Sequence, residues 1–271
     1  MLSHDDYIVG WVCALPLELT AAIAMLDETH PQLSRPESDQ NAYALGSIAG
    51  HNSVIACLPS GVYRTVSPAT VLSQMLATFP QLRFTLMVCI GGGVPIPSSG
   101  HDIRLGDVVV SKPTESCGGV VQYDLGKALQ GSFFEQIGSL NHPPQVLLTH
   151  MSLPQATMAD SKDEDYHIIP LVQTALDHRP QLIDEFSCHG PQNDVLFNSL
   201  YPHNTGTEFS GACLDCDQKQ VVQRKPRTSM EPRVHYGTIA SGNQVIKDSE
   251  TRDRLARELN VLCFEMVRQR A

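Results

Sequence analysis

The sequence predicts an α/β fold, a sheet carrying helices on both faces, and two observations lead there. Short apolar runs of strand length alternate with segments of helical period through the first 111 residues. With 42% apolar and 18% charged residues, the 271-residue chain can build one sizeable core, so a single domain over residues 1–271 is expected.

The elements follow in order. YIVGWVC (7–13) is continuous, apolar and rich in β-formers, as a strand buried on both faces should be. Pro16 opens a helix, PLELTAAIAMLDE, with proline at a favoured first-turn position and Leu17, Ala21, Ala24 and Met25 on one face. Residues 29–41, with their Pro, Ser and Asp, read as a loop. AYALGSIAG and SVIACL, joined through Gly50-His51-Asn52, read as a hairpin. SPATVLSQMLATFP reads as a helix with Ser67 as its cap, Pro68 at its start, and Leu72, Met75, Leu76 and Phe79 along one face. Phe84 to Ile90 reads as a buried strand that exits through Gly91-Gly92-Gly93, and IRLGDVVVS (103–111) as a strand with a turn at Gly106. GGVVQYDLGK reads as a strand and PPQVLLTHMSL as a helix. Residues 158–232 lack a sustained period and are expected to be a poorly ordered insertion. RVHYGTIAS (233–241) is then a strand, SETRDRLARELN a helix capped by Asp248 or Ser249, and VLCFEM (261–266) a buried strand.

Charge and cysteine usage narrow the function classes. Lys+Arg is 19 against Asp+Glu 29, a formal charge of -10, which repels polyphosphate backbones and argues against nucleic acid as a partner. Several of the eight cysteines sit inside apolar runs, as buried thiols of a reducing compartment do. Neither a signal-type N-terminus nor a run of membrane-spanning length is visible, so a soluble cytoplasmic protein away from membranes is expected. Cys213-x-x-Cys216, with Cys188-His189 upstream, has half of a zinc-site spacing, but no second close pair, and the expectation is no metal and no cofactor.

Five segments in order carry a family resemblance: VGWVCALPLE (9–18), IGGGVP (90–95), RLGDVVVS (104–111), YGTIASGNQVIKD (236–248) and CFEM (263–266). Together they resemble the nucleoside phosphorylase superfamily, particularly the nucleosidases acting on 5′-methylthioadenosine and S-adenosylhomocysteine. The similarity is greatest to the fungal version that begins much longer chains, ahead of NTPase and helical-repeat regions. The resemblance implies a three-layer sandwich around a mixed central sheet. Its activity would be cleavage of the glycosidic bond of purine nucleosides, through an oxocarbenium-like state that needs an activated nucleophile, an acid for the leaving base and a grip on the ribose.

The resemblance also assigns residues. Glu18 stands where nucleosidases carry the glutamate that positions water; from residue type alone, an exposed first-turn carboxylate favoured by the helix dipole is the alternative. Gly91, Gly92 and Gly93 would let backbone N–H groups approach a ligand, or simply form a tight strand exit. Asn243, Val245 and Ile246 match the stretch against the base, and Asn243 replaces the aspartate of many relatives. Glu265 and Met266 match a Glu-Met-Glu segment whose second glutamate grips ribose; Val267 takes that place here. Arg64 is the one cation of the SGVYRTVS loop available to a phosphate. The aspartate that assists base protonation in relatives would come after Ala271, so a C-terminally truncated domain, lacking a final strand and helices and with weakened catalysis, is expected. Water against phosphate as nucleophile, catalysis against a non-catalytic sensing or interaction module, and homo-oligomer formation stay open.

Overall fold

The computed structural model describes residues 2–61, 66–96, 100–128, 134–136, 140–159, 168–188, 190, 193–202, 216–227, 229 and 231–265. The strands are β1 (Val9–Cys13), β2 (Glu28–Thr29), β3 (Tyr43–Ile48), β4 (His51–Cys57), β5 (Phe84–Met87), β6 (Gly91–Gly93), β7 (Val108–Ser111), β8 (Val120–Gln122), β9 (Gly126–Ala128), β10 (Phe134–Gln136), β11 (Val234–Ser241) and β12 (Val261–Glu265). The helices are α1 (Pro16–Ala24), α2 (Val66–Thr78), α3 (Gln145–Ala159), α4 (Ile168–Asp177), α5 (Ile183–Phe186) and α6 (Ser249–Leu259).

The strands form two mixed five-stranded sheets and the two-stranded pair β9–β10. The first has the order β2-β3-β4-β1-β5, with β1 parallel to both β4 and β5 and the β3–β4 hairpin antiparallel. That hairpin turns at Ala49 and Gly50, both at positive φ, one residue before the predicted position. In the second, β11 lies parallel to β12 on one side. On its other side β11 pairs first with β7 and then, further along, with β8. β6 completes this sheet antiparallel to β12. Only Val88, Cys89 and Ile90 separate β5 from β6, so the chain leaves one sheet and enters the other within three residues.

Burial follows strand alternation. In β4, Val54 and Ala56 face a core closed by Val71, Met75 and Phe79 of the α2 segment, whereas Ile55 faces the opposite core with Cys13, Ala22 and Leu26 on the α1 side. Helices therefore cover both faces of this sheet, as the alternating pattern predicts. The α2 face differs from the expected one. It is lined by Val71, Met75 and Phe79 at i, i+4 and i+8, while Leu76 is 45% exposed. The helix also begins at Val66, which puts Ser67 and Pro68 inside its first turn. A third core, under α6, joins Val94, Val121, Tyr123, Ala240, Val261 and Phe264. Asp248 caps α6 by accepting the Thr251 amide at 2.7 Å.

The predicted strand at 103–111 is shorter than expected, because Arg104–Asp107 form a turn with Gly106 at φ +85° and pairing starts only at Val108. Within 158–232 the described residues include α4 and α5; Pro170 falls in the first turn of α4, where the missing amide costs no helical bond. No helix among the described residues is long and apolar enough to cross a membrane.

Candidate functional site

The C-terminal ends of β1 and β12 meet where β5 passes into β6. This is the edge at which open α/β sheets gather ligands. Strand β1 ends at Cys13, and Pro16 restarts the chain as α1 with Glu18 at its third position. Glu18 is 8% exposed, so the solvated first-turn carboxylate does not apply. Its Oε2 accepts the amides of Ala14 at 2.7 Å and Leu15 at 2.9 Å, the reach-back half of a capping box. Its Oε1 accepts the amide of Ile90 at 2.7 Å, across 72 residues of sequence. A carboxylate offers about four lone-pair directions, so three backbone donors fix its orientation and leave about one for a ligand.

The three glycines are paired strand residues. Gly91, Gly92 and Gly93 lie opposite Glu265, Phe264 and Cys263 of β12. A Cβ on Gly93 would meet Ile103 Cγ2 at 2.7 Å, so close packing, with negative φ, demands glycine there. Glu265, the last residue of β12, thus stands opposite the neighbour of Ile90 whose amide Glu18 holds. Its Oε1 is buried without a hydrogen-bond partner among the described residues. Burial raises the Glu265 carboxyl above its ordinary range and the Glu18 charge adds to this; hydrogen bonds from Ser241 and Cys89 oppose it. Burial also pushes up the Cys89 thiol, again helped by the charges of Glu18 and Glu265. The Cys263 thiol is pushed up to about 12 by burial, helped by the Glu265 charge. These thiols are therefore neutral, packed groups rather than nucleophiles.

Beside this corner, the turn after β11 is held by residues the sequence reading passed over. Asp124 Oδ2 accepts the Asn243 amide at 2.7 Å and its Nδ2 at 3.2 Å, while Asp124 Oδ1 accepts from Gln122 at 3.0 Å. These contacts keep Asp124 below its usual carboxylate range despite its burial. Tyr123 donates its hydroxyl to the Gln244 carbonyl. Gly242 lies so close to that ring that a Cβ would come within 2.4 Å of it. The signal was present in VVQYD, a polar triplet closing an apolar run, but its partner lies 119 residues away. Asn243 is exposed, Val245 is half-buried, and Ile246 is half-buried against the α6 core.

Arg64 and Met266 lie outside the described residues, as do Val267 and, from the partial zinc spacing, His189 and Cys213. Among the described residues no cluster of three His, Cys, Asp or Glu could hold a metal ion. The RLGDVVVS segment supports the sheet from elsewhere. Asp107, with a fully buried side chain, accepts both Nη atoms of Arg227 at 2.7 and 2.5 Å, His235 Nε2 at 3.0 Å and the amides of Arg104 and Arg233. Those donors outweigh its burial and hold the carboxyl far below the usual range. Arg224 bridges Asp102 and Asp194 nearby, so ion pairs tie residues of the 158–232 region to the start of β7.

No family model matches the chain. It is 46% identical over 266 residues to a nucleotide-binding leucine-rich repeat (NLR)-like protein of Hyaloscypha variabilis, covering 98% of this chain and 25% of that one. The chain thus spans a quarter of that relative's length. It is 24% identical over 258 residues to a 5′-methylthioadenosine/S-adenosylhomocysteine nucleosidase of Mycobacterium bovis, covering 95% of this chain and 75% of the other. The corresponding nucleosidase from Neisseria meningitidis, crystallised with methylthio-immucillin-A, superposes with a TM-score of 0.52 at 13% identity, covering 96% of this chain and 75% of that one. The chain therefore has the nucleoside phosphorylase/nucleosidase fold, with mixed sheets and flanking helices.

Proposed function

We propose that this domain binds purine nucleosides and cleaves their N-glycosidic bond by hydrolysis, in the cytoplasm. One observation carries the reading: a buried carboxylate, Glu18, is fixed by three backbone amides at the strand ends, next to a second carboxyl, Glu265. Nucleoside cleavage builds positive charge on the ribose and negative charge on the base, so it needs a fixed anion near the sugar and an acid near the base. In this reading the ligand lies against Gly91, Gly92 and Gly93, with its base along Asn243, Val245 and Ile246 and its sugar toward Glu265 and Met266. Glu18 orients the attacking water. The ligand named for the Neisseria structure and the free thiols of the described cysteines support the reading. Phosphate would have only Arg64 of its loop to meet it, which favours water.

A second reading rests on the NLR-like relative, of which this chain spans a quarter. In that context the same site would report nucleoside occupancy to the rest of a long protein, with little turnover. Incubation with adenosine, inosine and 5′-methylthioadenosine, with and without phosphate, separates these readings. Free base without phosphate supports hydrolysis. Saturable binding by a folded chain that releases no base supports sensing.

A further inference from the structure

The end of β8 and the two residues after it hold the turn that follows β11. Gln122 pairs with Ser241 in the sheet, and the Tyr123 amide donates to the Ser241 carbonyl at 3.1 Å. The Tyr123 ring is buried against Gly242 and lies edge-on to Phe264, and its hydroxyl donates to the Gln244 carbonyl. Asp124 closes the turn. Its Oδ2 accepts the Asn243 amide at 2.7 Å and Asn243 Nδ2 at 3.2 Å, while its Oδ1 accepts Gln122 Nε2 at 3.0 Å. An ionised carboxylate has no hydrogen to give, so only the nitrogen of the Asn243 carboxamide can face it. Asp124 thereby sets which way that carboxamide points. A carboxylate in its place would put an oxygen where Nδ2 now lies, 3.2 Å from Oδ2, and set like charge against like charge.

From this match we propose that Asp124 is a positioning residue of the nucleoside site: it orients the Asn243 side chain and requires an uncharged residue at position 243. The inference rests on the nucleoside-binding part of the reading above, which cleavage and sensing share. Asp124 acts through Asn243, not by touching the ligand. Tyr123 acts alongside it through the backbone of Gln244, the residue before Val245. The turn is thus fixed at both its side chain and its main chain before a ligand arrives, and such preorganisation lowers the ordering cost of binding. Exchanging the two residue types keeps one carboxylate and one carboxamide face to face, so the pair should work in either order.

The test uses the whole chain as wild type, Asp124→Ala, Asp124→Asn, Asn243→Asp and the double variant Asp124→Asn/Asn243→Asp. Each is melted, and titrated calorimetrically with 5′-methylthioadenosine, at about pH 8 and about pH 4.5. Asp124→Ala is expected to bind about 10-fold more weakly than wild type. Asp124→Asn, which keeps an acceptor oxygen, should bind closer to wild type. Asn243→Asp should lose stability and affinity at the higher pH and regain both at the lower. There one of the facing carboxyls takes a proton, which ends the repulsion and returns a donor. The sign follows: repulsion raises the folded-state titration of the pair, so stability is present at low pH and lost as pH rises through it. The double variant should recover both properties at the higher pH. Affinity undiminished in Asp124→Ala overturns the positioning role. Asn243→Asp that is no better with Asp124→Asn than alone overturns the match between the two residues. Folded wild type that takes up no nucleoside overturns the nucleoside reading and the positioning role with it. In that case the melts still decide, without any ligand, whether Asp124 dictates the residue at 243.

Discussion

Glu18 Oε1 accepts the backbone amide of Ile90 at 2.7 Å, and this one bond ties the start of α1 to the point where the chain passes between the two sheets. Replacing Glu18 with Ala leaves the amides of Ala14, Leu15 and Ile90 without their acceptor in a largely dry corner. At about 1–3 kcal/mol for a buried group left unpaired, the variant is expected to unfold at clearly lower urea. Glu18→Gln keeps one acceptor oxygen and should lose less stability. Urea melts of the two variants beside wild type check the order.

Gly242 and the ring of Tyr123 leave no room for a side chain between them. Gly242→Ala should displace the ring, cost about 1–3 kcal/mol and weaken nucleoside binding, because the same turn carries Asn243. Combined with Tyr123→Ala, which removes the ring that the new Cβ meets, the losses should be less than additive. A double-mutant cycle that shows simple additivity would contradict the contact.

Asp107 is the acceptor for Arg227, His235 and two amides. Removing one partner of such a buried pair costs about 3–5 kcal/mol, so Asp107→Ala should barely fold. The sign of the pH effect follows from its depressed carboxyl: the stabilisation is fully present above the ordinary aspartate value of 3.8 and is lost as pH falls below it. Melts between about pH 6 and pH 2 should show this loss, and Asp107→Asn should flatten it.

The opposite sign applies to Glu265. Its raised carboxyl stabilises the fold fully below the ordinary glutamate value of 4.5, and that contribution is lost as pH rises through the folded-state titration. Glu265→Gln is therefore expected to be the more stable chain at pH 8 relative to wild type than at pH 4. Equal differences at both pH values would contradict the burial of this group.

Two α2 residues separate the observed helix face from the expected one. Met75→Ala removes a fully buried side chain and should cost about 2–5 kcal/mol. Leu76→Ala, at an exposed position, should stay within about 0.5 kcal/mol of wild type. Thermal melts of the pair suffice.

That pair also shows where sequence reading stops. Apolar periodicity located α2 and β4 because burial repeats locally, but Leu72, Val71 and Leu76 are alike in hydropathy, and only packing against Phe79 and β1 chose among them. Gly91–Gly93 read as an exit loop because glycine has low strand propensity; its pairing comes from residues 263–265, far along the chain. The site divides the same way. The resemblance names Glu18, Asn243 and Glu265 as candidates, whereas nothing local marks Asp124 and Tyr123, whose partners lie 119 and 121 residues away. Helix α4 escaped notice since Pro170 and polar neighbours blur a short period.

The most direct test of the account is base release from 5′-methylthioadenosine in phosphate-free buffer by wild type and Glu18→Gln, both shown folded by their melts. Hydrolysis by wild type, reduced about 10²-fold or more in Glu18→Gln, is the predicted result. Equal release by the two chains, or none by wild type, would contradict it.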